Sequence, residues 1–134
     1  MVSFDVNWLA VIICAVANMM IGAGWYGFFA EPWMAGIGKT REDIEADSST
    51  TPYVIAGLNS FLMAFVLANV IQWTGATGWL NGLLTGALMW LGFTGLAFGA
   101  NHAFEFRDFK AWGINAGTYF FGLMVMGAII GAFG

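Results

Sequence analysis

The sequence predicts an all-α integral membrane protein, a four-helix transmembrane bundle forming one domain over residues 1–134. Three observations predict it. The chain is 60% hydrophobic and 9% charged, with mean hydropathy +0.77; an ordinary soluble domain is about 25% charged. Four stretches, about residues 7–29, 52–73, 79–100 and 112–133, contain no Asp, Glu, Lys or Arg, and each reaches the roughly 20 apolar residues a helix needs to cross a bilayer. These runs are continuous, whereas a membrane barrel alternates polarity along segments of about ten residues. In lipid a helix satisfies its own backbone, so the spans are helical. The same composition excludes a disordered chain and a nucleic-acid binder with a basic face.

The elements follow in order. Asn7 is placed to cap the first span, and the absence of Lys or Arg from Met1 to Val6 predicts a retained span rather than a signal peptide. Pro32 biases Glu31 away from helix and predicts a stop there, with Pro32 to Ile37 lying along the membrane interface. Thr40-Arg41-Glu42-Asp43 reads as a capping box with Asp in the place of Glu, so a short polar helix runs to about Asp47. Thr51 as cap and Pro52 at the first helical position start the second span. It ends near Thr74-Gly75. The tight uncharged loop from Thr74 to Gly78 predicts that spans two and three pack as an antiparallel hairpin. Span three ends near Asn101, and a mixed-charge loop, about 101–111, leads to span four.

All four basic residues lie in two loops, about 30–51 and 101–111: Lys39 and Arg41, then Arg107 and Lys110. Four spans put these loops on one side, and the excess of Lys and Arg makes that side cytoplasmic. Both termini then face outward. Trp8, Trp73 and Trp79 mark the outer interface; Tyr26, Trp33, Tyr53 and Trp112 mark the inner one. Trp90 falls mid-span and is expected inside the bundle. Five of the eight acidic residues cluster from Glu31 to Asp47 and read as a solvated loop.

Small residues let helices approach closely where lipid supplies no hydrophobic force. Gly82/Gly86, Gly95/Gly99, Gly113/Gly117 and Gly127/Gly131 have the four-residue spacing of such faces, for packing within one subunit or between subunits. Trp8-Leu9 and Gly24 also align with Trp79-Leu80 and Gly95 at one offset, a faint internal repeat.

Polar residues inside spans are the candidates for function. Asn18, Asn59, Ser60, Thr94, Asn101, His102, Asn115 and Tyr119, with Thr118, converge on the inner half and make a candidate polar pocket or a set of helix–helix bonds. Asn69, Gln72, Asn81 and Thr85 form a thinner outer set. Trp25, Tyr26, Trp33 and Trp90 are a candidate aromatic groove. His102 is the only histidine and Cys14 the only cysteine, too few for a metal site, which takes three or four ligands. No metal or other cofactor is expected, although one His suffices as an axial ligand to a haem or pigment. Glu105, three residues on, shares a helix face with His102 if the helix continues.

The stretch from Gly22 to Phe29, Gly-Ala-Gly-Trp-Tyr-Gly-Phe-Phe, followed by Trp33-Met34, resembles a motif of the uncharacterised bacterial membrane-protein family "domain of unknown function 1761". The stretch Trp112-Gly113-Ile114-Asn115-Ala116-Gly117-Thr118-Tyr119, with Met126 to Ile129, is similar to its fourth-span pattern. Gly27 departs from the pattern, where proline is common. The resemblance implies a small four-span protein of the bacterial inner membrane, implies no activity, and directs attention to Trp25, Tyr26, Trp33, Asn115 and Tyr119.

Catalytic signatures are missing from the sequence: no nucleophile elbow, phosphate loop, zinc helix or dinucleotide fingerprint occurs. The leading expectation is a non-catalytic protein whose partners are the bilayer and either copies of itself or a larger membrane complex. The alternatives are a small-solute transporter or channel using the inner polar set, and a binder of lipid, quinone or pigment.

Overall fold

The computed structural model describes residues 1–75 and 77–134, and six helices account for most of them. Helix α1, Trp8–Phe28, starts where the Asn7 side chain accepts the Ala10 N–H at 3.1 Å. Helix α2, Ala30–Ile37, follows after Phe29 alone. Here Pro32 is not a stop. It sits in the first turn of α2, where a missing N–H forfeits no intrahelical bond, and Glu31 before it is helical. Gly38 in the left-handed region, φ 71°, ends α2. Helix α3, Arg41–Ala46, carries the expected capping box: Thr40 Oγ1 accepts the Asp43 N–H at 3.2 Å and Asp43 Oδ2 accepts the Thr40 N–H at 2.9 Å.

Helix α4, Thr51–Thr74, has Thr50 rather than Thr51 as its cap residue, with Pro52 within the first turn. Helix α5, Trp79–Phe104, is interrupted by a wide π turn over Trp90–Gly95. It runs past Asn101 and closes with a Schellman arrangement, in which the Phe106 N–H donates to Ala103 O and the Arg107 N–H to His102 O. Phe106 holds the left-handed position, φ 55°, where glycine is usual. Helix α6, Phe109–Phe133, is started by Asp108, whose carboxylate accepts the Lys110 N–H. Four of these elements, α1, α4, α5 and α6, are long and apolar enough to cross a membrane.

Helix α6 is the hub. It packs along α5, along α1 and more lightly on α4, while α1 packs on α4. The expected α4–α5 hairpin is corrected: those helices are antiparallel neighbours in sequence but barely touch, because each packs elsewhere, α4 on α1 and α5 on α6. Two kinds of packing explain this. Between α1, α4 and α6 lies an apolar core with Val11, Cys14, Ala64, Leu67, Leu123 and Met126 at its centre. Between α5 and α6 the backbones themselves meet. A Cβ added at Gly82 would overlap Gly127 O, one at Gly86 would overlap Leu123 O, and one at Gly131 would overlap Gly78 O. The Gly78 N–H even donates to Gly131 O, at 3.1 Å, across the two elements. That contact needs residues with no side chain, and α4 offers no such face.

Cross-helix contacts also sort the ends of the bundle. Ser3 meets Asn69 and Gly78 meets Gly131 at one end. Gly36 meets Ala111, and Tyr26 and His102 meet Asn115, near the other. Lys39, Arg41, Arg107 and Lys110 therefore share an end, opposite both termini.

Candidate functional site

Besides Asn69, which bonds the Ser3 backbone at the terminus-bearing end, two groups of polar residues link the helices of the bundle interior. In the first, Asn18 of α1 donates through Nδ2 to Ser60 Oγ of α4 at 2.8 Å, and its carbonyl oxygen rests against Gly122 of α6. Only glycine leaves room for it there. The second group lies nearer the charged end and crosses three helices. Tyr26 of α1 donates its hydroxyl to Asn115 Oδ1 of α6 at 2.8 Å, and Asn115 Nδ2 lies 3.2 Å from His102 Nε2 of α5. His102 Nδ1 is 2.7 Å from Phe98 O, one turn back. A carbonyl can only accept, so Nδ1 carries the proton and Nε2 accepts from the Asn115 amide. The line Tyr26–Asn115–His102–Phe98 is thus satisfied with a neutral imidazole in one tautomer.

Three tryptophans brace this line. Trp25 Nε1 donates to Ile114 O at 2.8 Å, Trp90 Nε1 to Ala116 O at 2.8 Å, and Trp112 Nε1 to Gly95 O at 2.9 Å. Each indole ties one helix to the backbone of another, and each lies over a glycine. Trp25 covers Gly117, Trp90 covers Gly95 within the π turn, and Trp112 covers Gly99. A side chain at any of these glycines would meet the ring.

The residues singled out from sequence are distributed accordingly. Asn18 and Ser60 pair together; His102 and Asn115 belong to the second line. Tyr119 lies one turn from Asn115 and meets Phe98 edge-on, ring centroids 5.6 Å apart. Thr94 lies in the π turn. Asn59 and Asn101 are exposed on the outside of the bundle and join neither group. No single polar pocket gathers all eight, since one helical step turns Asn59 and Asn101 about 100° away from the buried Ser60 and His102 and leaves them exposed. Among the glycines, Gly82, Gly86, Gly127 and Gly131 form the α5–α6 contact. Gly95, Gly99 and Gly117 seat indoles, and Gly113 has nothing near it.

The four aromatic residues do not line one groove. Tyr26 meets Trp33 edge-on at 5.4 Å, and Trp25 packs on Phe29 and Phe121. Trp90 lies beside Phe120 in a separate apolar groove of about 340 Å³ with Leu84, Leu88 and Leu91. Glu105 lies beyond the end of α5 and pairs with Arg107 at 2.6 Å rather than with His102. An axial ligand role for His102 would require Nε2 to give up Asn115. Among the described residues no group of three or more His, Cys, Asp or Glu could hold a metal ion.

Sequence reasoning missed the indole-to-carbonyl bonds and the role of the first six residues. From sequence alone, Trp25 is a candidate groove wall and Trp112 an interface marker. Trp90 and Gly95 are five residues apart and bound the π turn, within which the Trp90 ring lies over Gly95.

On this geometry the chain is a helical protein with four candidate membrane spans, three of them cross-linked by an internal polar line. It belongs to the DUF1761 family, described as protein of unknown function; the family model matches residues 9–131, which include Tyr26, His102, Asn115 and all three bracing tryptophans. No curated protein and no solved structure matches the chain.

Proposed function

We propose that the protein is a non-catalytic, multi-pass subunit of the bacterial inner membrane that works as a homo-oligomer or as an accessory chain of a larger membrane complex. The observation that carries this reading is a notch on the outer face of α1. Ala23, Gly24 and Gly27 are exposed and form its floor, and nothing lies within 4 Å of a Cβ built at Gly24 or Gly27. Met20 and Phe28, 69% and 82% exposed, stand at its two ends. A floor of small residues between large ones receives a helix from another chain. Gly82, Gly86, Gly127 and Gly131 are consumed in the α5–α6 contact within the subunit, whereas the α1 notch stays open. Intact-mass measurement in mild detergent tests this. Wild-type protein forms a defined oligomer or retains a partner chain, and Gly24→Leu releases the monomer. A wild-type monomer without a partner refutes the reading.

The shared end of Lys39, Arg41, Arg107 and Lys110 supports a cytoplasmic position for it, with both termini outside. Single cysteines at Ser3 and Ser49, introduced after Cys14→Ser, test this. Labelling of position 3 only from the cytoplasm overturns the orientation.

A further inference from the structure

We propose that the cleft between α1, α4 and α6 at the terminus-bearing end binds an uncharged lipid with a hydroxyl headgroup, a monoacylglycerol being the simplest example. The cleft encloses about 400 Å³ and is lined by Val6, Asn7, Ala10, Ala68, Gln72 and Ile130 among others. That volume is within the usual range of small-molecule sites, about 300–1,000 Å³. The space exists because Ala10 and Ala68 stand where α1 and α4 meet, and both are almost fully buried.

One wall is built by the first six residues. They cross the last turns of α4, where side chains grip their backbone at alternate positions. Trp73 Nε1 donates to Met1 O, Asn69 takes both the N–H and the C=O of Ser3, and Gln72 Nε2 donates to Asp5 O. Phe4 stacks on Phe65, 5.6 Å between centroids. Asn69 is 1% exposed, so the middle of this grip is buried while the Met1 and Asp5 bonds on either side are exposed, and it delivers Val6 into the wall of the cleft.

The rim specifies the headgroup. Asn7 has its oxygen committed to the Ala10 N–H, which leaves Nδ2 as a donor. Gln72 has its nitrogen committed to Asp5 O, which leaves Oε1 as an acceptor. With the hydroxyl-bearing Thr77, which also lines the cleft, these side chains offer neutral donors and acceptors, a set that suits a hydroxyl, which accepts and donates at once. Charge selects further. Asp5 is the single charged side chain at this end, and all Lys and Arg are at the other. No basic side chain therefore stands at this end to pair with an anionic head. The inference stands apart from association through α1, because the cleft and the notch involve different residues.

Native mass spectrometry of the full chain from nanodiscs holding a monoacylglycerol, or the fatty acid anion of the same chain length, tests it. The expected result is saturable retention of the monoacylglycerol, loss of it in Ala68→Leu, and affinity reduced about fivefold in Gln72→Leu, the value of one ordinary hydrogen bond. Equal retention of the anion, or binding unchanged in a folded Ala68→Leu, overturns the proposal. Should Ala68→Leu not fold, Gln72→Leu decides alone: unchanged affinity overturns it.

Discussion

Removing Asn115 cuts the polar line at its middle. Asn115→Leu keeps the bulk but deletes the acceptor for Tyr26 and the donor for His102, so two bonds between helices disappear. One such bond in a membrane protein contributes about 0.6–1.7 kcal/mol, and unpaired buried groups add their own cost. The loss is therefore expected at about 2 kcal/mol. Tyr26→Phe deletes only the first bond and is expected to cost about 1 kcal/mol. The Tyr26 bond cannot be lost twice. The double variant should thus cost about 2 kcal/mol rather than 3, a coupling of about 1 kcal/mol. Reversible unfolding in mixed micelles, followed by helical circular dichroism, measures all four species. Additivity of the two single losses to within about 0.3 kcal/mol would refute the hydrogen bond between Tyr26 and Asn115, and with it the account of the line.

Other outcomes follow from the packing and the loops. Gly82→Val puts a side chain into Gly127 O and is expected to prevent α5 from docking, read as a loss of at least about 3 kcal/mol or of folding. Gly113→Ala meets nothing and should be neutral or stabilising, by up to about 1 kcal/mol, in the same assay. Phe106→Gly relieves a left-handed backbone from a residue 94% exposed, and unfolding should show about 1 kcal/mol of added stability. Hydrogen bonding from the Thr40 backbone, then from its side chain, together with the Lys39 charge, holds the Asp43 carboxyl below the usual carboxylate range. A depressed value in the folded state means that the contribution to α3 is present above the unfolded value and is lost as pH falls through the folded one. Amide shifts of Thr40 and Asp43 should report fraying of α3 as pH falls below the usual carboxylate range, and Asp43→Asn should abolish that titration.

How much of this was legible beforehand depends on what each feature rests on. The four spans, the polar α3 with its Thr40–Asp43 box and the clustering of basic residues at one end all rest on local composition or on near neighbours, and the chain displays them directly. The order of packing does not. Helices α1, α4 and α6 are apolar on every side, so polarity cannot say which face turns inward or which helix takes the centre. Shape decides instead: Gly82, Gly86, Gly127 and Gly131 draw α5 to α6 and away from α4. The site divides in the same way. Asn115 and His102 were recognisable as polar residues in apolar runs, but their connection through Tyr26 depends on three helix rotations. Asn59 and Asn101 looked equivalent to their neighbours because position along the span is readable and direction around it is not. Pro32 misled because its effect on the preceding residue is a bias, overcome at the start of a helix that gives up no bond to it.

The place of α6 in the bundle bears on how the protein is made. Of the four long helices it is the last to leave the ribosome, yet it is the one on which the others assemble. Helices α1 and α4 can join first through Asn18 and Ser60, since both are already in the bilayer. Helix α5 has no such companion and waits alone in lipid, its glycines uncovered and His102 without Asn115. Docking of α5 therefore has to wait for α6, its main packing partner. A ribosome stalled before Phe109 should leave a chain whose α1–α4 pair is formed and whose α5 remains free to engage membrane insertion factors or other chains.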